Sequence, residues 1–159
     1  MEPIVKIRNL QTSYGKRQIL KGINLDIYPY ETLVILGRSG CGKSTLLRHI
    51  VGLNDPDEGE IIIKGLDIVT ASEDERETVL KKMGMLFQNG ALFNSMTVGD
   101  NVSLPLLEHT PQKESTVRIM TRMKLGLVGL SGFENFMPSQ LSGGMKKRAG
   151  LARALALNP

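Results

Sequence analysis

Gly37-Arg38-Ser39-Gly40-Cys41-Gly42-Lys43-Ser44 is the stretch that decides the fold. Its spacing is G-x-x-x-x-G-K-[ST], in which the glycines let the backbone curl until successive N–H groups point inward at phosphate oxygens. The flanks supply the context such a cradle needs. Residues 32–36 (TLVIL) are β-branched and apolar nearly throughout, which predicts a strand buried on both faces in the middle of a parallel sheet. Residues 43–52 read as a helix, whose N-terminus would present its positive dipole end to the same oxygens. Lys43 adds a full positive charge near the β- and γ-phosphates, and the Ser44 hydroxyl can coordinate Mg²⁺. A strand, a glycine-rich loop and a helix form the first half of an α/β unit.

Working outward toward the N-terminus, residues 4–10 alternate apolar and polar as a half-buried strand should, and 23–27 (INLDI) do so again before Tyr28-Pro29-Tyr30. In the other direction, 55–59 read as a turn and 60–64 (EIIIK) as a short strand. Ser72 can cap a helix with Glu73, Asp74 and Glu75 in its first turn and Lys81 and Lys82 at its end, a charge order that complements the dipole. Residues 84–88 (GMLFQ) read as another buried strand. A helical stretch beginning at Thr97 is expected to break at Pro105. Longer helices follow over 115–130 and about 144–157, with Pro159 behind the last.

The bulk properties bound these readings. At 159 residues, 41% hydrophobic and 23% charged, the chain is expected to form one soluble globular domain with a real core. No apolar run approaches the roughly 18 residues of a membrane span. The start, MEPIVKIRNL, lacks the basic-then-apolar layout of a signal peptide. A single cysteine, Cys41, precludes an internal disulfide and fits a reducing cytosol. The net charge of +4 is scattered, densest at Lys146, Lys147 and Arg148, so no nucleic-acid partner is expected. Repeats, low-complexity tracts and linkers are absent, leaving no sign of a second complete domain.

A second motif narrows the chemistry. Leu141-Ser142-Gly143-Gly144-Met145 stands at the head of a helix and is followed by KKRAGLARAL. Ser142 offers a hydroxyl, Gly143 and Gly144 allow close backbone approach, and the helix dipole favours an anion. This resembles the signature sequence of ATP-binding-cassette (ABC) ATPases, with Met145 in place of the usual Gln. Tyr14-Gly15 resembles the aromatic that stacks on adenine. Gln88 resembles the glutamine that contacts Mg²⁺ or the attacking water, and 19–25 (ILKGINL) resembles the family's strand lead-in.

The resemblance implies an α/β phosphate-loop core of ABC type with a helical signature subdomain, incomplete at the C-terminus. Within a single domain spanning 1–159, about 1–90 would be the nucleotide-binding core with antiparallel strands, and about 91–159 the helical subdomain. It implies Mg·ATP as ligand, held by Tyr14, Gly37, Arg38, Ser39, Gly40, Cys41, Gly42, Lys43, Ser44 and Thr45, and by Ser142, Gly143 and Gly144. Lys43 and Gln88 would be the catalytic residues, with Ser44 and Gln88 at the metal. Two copies would face each other head to tail, each ATP lying between Lys43 of one and Ser142 of the other, and water would attack the γ-phosphate.

Residues 85–98 (MLFQNGALFNSMTV), with PLLEHT at 105–110 and the LSGGM motif, resemble bacterial phospholipid-trafficking and organic-solvent-tolerance ATPases. Amino-acid importers and lipoprotein exporters are the alternative. The resemblance implies a membrane permease docked near Leu92, Phe93 and Met96, with the ATPase peripheral on the cytoplasmic face of the membrane. Flexible Met and aromatic side chains suit such a moving surface. In this family a strand ending in an Mg²⁺-binding Asp and a catalytic Glu follows the signature helix, with a switch histidine later. Neither His49 nor His109 lies at that position, so the reading is a truncated ATPase that is inactive alone, with a binding-only fragment as the alternative. A mechanical clamp of translation or DNA repair would call for tandem cassettes or a coiled-coil insert, which these residues lack.

Overall fold

The computed structural model describes residues 1–159, which separate into two compact units, 1–80 and 81–159. The first is built on strand β1, Val5–Tyr14, which lies between β2, Arg17–Ile27, and β3, Glu58–Ile63; a short β4, Leu66–Asp67, completes the order β2-β1-β3-β4. All three pairings are antiparallel. Period-two alternation turns Val5, Ile7, Leu10 and Thr12 inward, where they are buried with Leu20, Ile61 and Ile63. β1 runs to Tyr14, farther than its apolar alternation indicated, because Thr12 takes an inward position while Gln11 and Ser13 face outward. The β1–β2 ladder slips between Ile7 and Leu10, and Asn9 there adopts φ +47. Its N–H donates to Asn24 Oδ1 at 3.0 Å, so the bulge leaves no orphan donor. Beside it the Arg8 guanidinium bonds Asp26 at 3.0 Å and holds that carboxyl below the usual carboxylate range.

Helix α1, Lys43–Ile50, buries Leu46, His49 and Ile50. His49 ties its C-terminal end down: Nδ1 lies 2.8 Å from the Asn54 carbonyl, which can only accept, and Nε2 lies 2.8 Å from Thr12 Oγ1 on β1. Helix α2, Glu73–Leu80, buries no residue. It is fixed by Arg76, which donates to the Gly52 carbonyl at 2.8 Å and pairs with Asp55 at 2.8 Å. Ser72 N and Oγ donate to the Glu75 carboxylate at 3.1 and 2.7 Å, which lowers that carboxyl's pKa. Lys81 and Lys82 fall just past the helix end rather than inside it.

Two expected strands are not formed. Residues 32–36 join no ladder, and Leu33, Val34 and Leu36 are 42%, 67% and 86% exposed. Residues 84–88 are likewise outside any sheet, with Leu86, Phe87 and Gln88 exposed. The physical reason is the same in both cases. A strand buried on both faces in a parallel sheet needs parallel neighbours, and none of the pairings within residues 1–159 is parallel.

The second unit is helical: α3, Val98–His109; α4, Glu114–Leu127; and α5, Gly143–Ala154, preceded by a single 3₁₀ turn at Pro138–Gln140. Val98, Val102, Leu125, Leu130, Leu141, Ala149 and Ala152 form its main core, and Leu106, Val117 and Ala156 a second cluster. Thr97 and Asp100 exchange backbone bonds in a capping box at the start of α3. The break expected at Pro105 does not occur, since α3 continues through it to His109. Proline in a helix interior removes one backbone bond; here the buried face, with Val98, Val102 and Leu106 fully covered, keeps the helix running.

Candidate functional site

The phosphate loop enters α1 through Gly42, which adopts φ +101 as the residue capping the helix. A Cβ there would sit 3.0 Å from Leu20 Cδ2 and 3.1 Å from Ile19 Cγ2, so the loop rests on β2 at this point and needs glycine twice over. Within the loop the Cys41 N–H donates to the Arg38 carbonyl at 3.3 Å. Lys43 Nζ donates to the Gly37 and Arg38 carbonyls at 2.8 and 2.9 Å and lies 3.7 Å from Cys41 Sγ, so its ammonium sits over the loop.

The start of α1 carries no side-chain cap and no acidic residue in its first turn. Its leading N–H groups therefore face no side-chain cap and no acidic residue of the first turn, which suits an incoming anion. Arg38 and Ser39 are exposed at the rim. Tyr14 ends β1 at 51% exposure, its hydroxyl accepting from Asn54 Nδ2 at 3.4 Å, which leaves the ring free for stacking. No group of three His, Cys, Asp or Glu side chains forms a metal cage. A divalent cation at such a site would be held by hydroxyl, phosphate and water oxygens.

In the second unit Ser142 caps α5, its Oγ accepting from Met145 N at 3.3 Å. A Cβ added at Gly143 or Gly144 would meet nothing within 4 Å, so these glycines are not demanded by packing. They leave the helix start bare. Gln88 lies exposed in a turn closed by Gly90 N–H to the Phe87 carbonyl at 2.9 Å. Of the three apolar residues beyond it, Leu92 packs on the helical core, Met96 is partly buried and Phe93 is 50% exposed.

Sequence reading missed Asn101 and Arg153. Asn101 is fully buried on α3, its Oδ1 accepting from Phe93 N at 2.7 Å and its Nδ2 donating to the carbonyls of Phe93, Met96 and Thr97 at 2.9 to 3.2 Å. An amide at an apolar helical position, between Val98 and Val102, is the signal that could have found it.

Cys41 offers a direct probe of the loop, since it is exposed. A maleimide on Cys41 is expected to block nucleotide binding, and bound Mg·ATP to slow the labelling. Equal labelling rates with and without nucleotide would show that the thiol lies outside the binding surface.

The family described as ABC transporter matches residues 20–159. The chain is 47% identical over 155 residues to the probable ribonucleotide transport ATP-binding protein mkl of Mycobacterium leprae (strain TN), covering 98% of this chain and 45% of that protein. It is 47% identical over 156 residues to the intermembrane phospholipid transport system ATP-binding protein MlaF of Escherichia coli (strain K12), covering 98% and 58%. The chain thus spans about half the length of the curated relatives it matches. Among solved structures, the dimeric post-hydrolysis state of the ATP-binding cassette MJ0796 bound to ADP and Pi matches with a TM-score of 0.89 at 36% identity, over 98% of this chain and 70% of that one.

Proposed function

Because this chain belongs to the ABC transporter family, we propose that it is the ATP-binding portion of a transporter ATPase that drives phospholipid movement between bacterial membranes. The observation that carries the ATP reading is the uncapped, acid-free start of α1, with Gly42 at φ +101 and the Lys43 ammonium seated over the loop. The lipid reading draws on the relatives named for intermembrane phospholipid transport and on the 85–98 stretch.

In this reading Gly37 through Thr45 bind the phosphates, Tyr14 stacks on the adenine, and Ser142 with Gly143 and Gly144 of a second copy closes over the γ-phosphate. Lys43 stabilises the charge that spreads over the transferred oxygens, and Gln88 orients the attacking water. Ser44 and Gln88 would hold Mg²⁺, which supplies further neutralisation of phosphate charge. The nucleotide-binding core is taken as about 1–90 and the helical subdomain as about 91–159. Phe93, with Leu92 and Met96 behind it, receives the membrane partner. No helix is long and apolar enough to cross a membrane, and the protein is assigned to the cytoplasmic face through that partner.

The test uses the full-length protein reconstituted with its membrane subunit in liposomes. Transfer of a fluorescent phospholipid is expected to require ATP and to stop with Lys43→Ala. A second reading follows from the mycobacterial relatives, whose name specifies ribonucleotides. ATP-dependent uptake of a ribonucleotide without lipid transfer would replace the first reading with that one.

A further inference from the structure

The segment that follows Gln88 is interlocked with the signature helix at close range. Gly90, at φ +76, and Gly150 of α5 meet backbone to backbone: a Cβ on Gly150 would lie 2.8 Å from Gly90 Cα and from its carbonyl oxygen. A Cβ on Gly90 would lie 2.5 Å from the Lys146 carbonyl oxygen. Ala91, the next residue, is forced to φ +47, a strained value for a residue with a Cβ. One turn along α5 from Gly150, Arg153 reaches over the crossing. Its Nη2 donates to the Gly90 carbonyl at 3.0 Å, and its guanidinium carbon lies 5.7 Å from the centre of the Phe93 ring. From the other side, the Asn101 amide holds Phe93 N–H and the carbonyls of Phe93, Met96 and Thr97.

Arg153 is not an economical packing residue. It is partly buried, has no carboxylate partner among its bonds, and burial pulls its pKa down. A Met would fill similar space without desolvating a cation. What the guanidinium adds is one directed bond to a carbonyl two residues after Gln88 and one face-on contact with the exposed ring of Phe93.

We propose that Arg153 is a positioning residue that fixes the Gln88 turn on the signature helix, so that a displacement of Phe93 from outside carries Gln88 and α5 with it. This rests on the reading of the chain as a transporter ATPase. Phe93, Gly90 and α5 then move as one piece, and Ser142 at the head of α5 follows whatever presses on Phe93. Asn101 holds the far side of the same segment, so the push does not dissipate in the loop.

The experiment measures phosphate release by the full-length protein with its membrane subunit, for Arg153→Met, Arg153→Lys, Gly90→Ala and the Arg153→Met/Gly90→Ala double variant. ATP affinity, set by the phosphate loop, should stay within about twofold in every variant, while membrane-stimulated kcat falls about ten- to a hundredfold in Arg153→Met and Gly90→Ala, as misplaced positioning groups commonly produce. Arg153→Lys, which keeps the cation beside Phe93, should recover part of the loss. The double variant should be no slower than the slower single one, since both break one device. Unchanged kcat in Arg153→Met would overturn the proposal. So would kcat and active-site titre falling in step with a lowered Tm, which marks a purely structural arginine, and Arg153→Lys serves that comparison if the Met variant folds poorly. If the unaltered protein shows no phosphate release sensitive to Lys43→Ala, the ATPase reading itself fails, a result distinct from either of these.

Discussion

Lys43→Ala is expected to abolish ATP binding at working concentrations while leaving the fold intact. The ammonium makes its bonds only to the Gly37 and Arg38 carbonyls of its own loop and to the Cys41 thiol. No core contact is lost with it. What disappears is a point charge able to reach two phosphates, and charge-assisted hydrogen bonds contribute about 1.5–3 kcal/mol each, so affinity should fall by roughly a hundredfold or more. Calorimetric titration with Mg·ATP, alongside far-UV circular dichroism and Tm, checks both halves of the statement. Undiminished affinity in a well-folded variant would remove Lys43 from the site.

The second large effect concerns residues 1–159 expressed by themselves. These residues span about half the length of the curated relatives, and we propose that charge-positioning groups lie in the remainder, so that 1–159 binds Mg·ATP yet turns it over about 10² to 10⁴ times more slowly than the full-length protein. The same segment should also self-associate. Val34 and Leu36 stand 67% and 86% exposed on a stretch that joins no ladder, which leaves its backbone groups open to pairing with a second copy. Light scattering should show oligomers that Val34→Lys disperses. Phosphate release from 1–159 at the full-length rate, abolished by Lys43→Ala, would place all the catalytic groups within these residues.

The elements legible in the sequence were those whose signal is local. The phosphate loop and the Ser142 cap announce themselves through glycine spacing and a capping side chain, and both appear where expected at the heads of α1 and α5. The strands expected at 4–10, 23–27 and 60–64 fall on β1, β2 and β3, while their order in the sheet carries no local signal. The stretches 32–36 and 84–88 form no strand because a continuous apolar run marks a segment fit for pairing, while pairing itself depends on a partner strand. The break expected at Pro105 does not form, since a helix with one face fully buried tolerates the loss of a single bond. The Arg153–Gly90–Phe93 arrangement joins residues about sixty positions apart through backbone crossings and one carbonyl bond. No periodicity in a single sequence encodes that.

The unpaired stretch before the phosphate loop also bears on the order in which this unit assembles. β1 and β2 close through a two-residue turn with Gly15 at φ +61, a local event, and β3 then adds to β1 from about fifty residues away. α1 docks by its far end, through the His49 bridge between Thr12 and Asn54, and by Gly42 against Ile19 and Leu20. The loop is therefore anchored from its helix side alone, and its upstream arm has no lateral bonds to join it to the cooperative unit. It is expected to be the first part of the unit to exchange its amide hydrogens. In the proposed reading, nucleotide held by residues 37–45 would stabilise the loop that continues this stretch, in proportion to its occupancy.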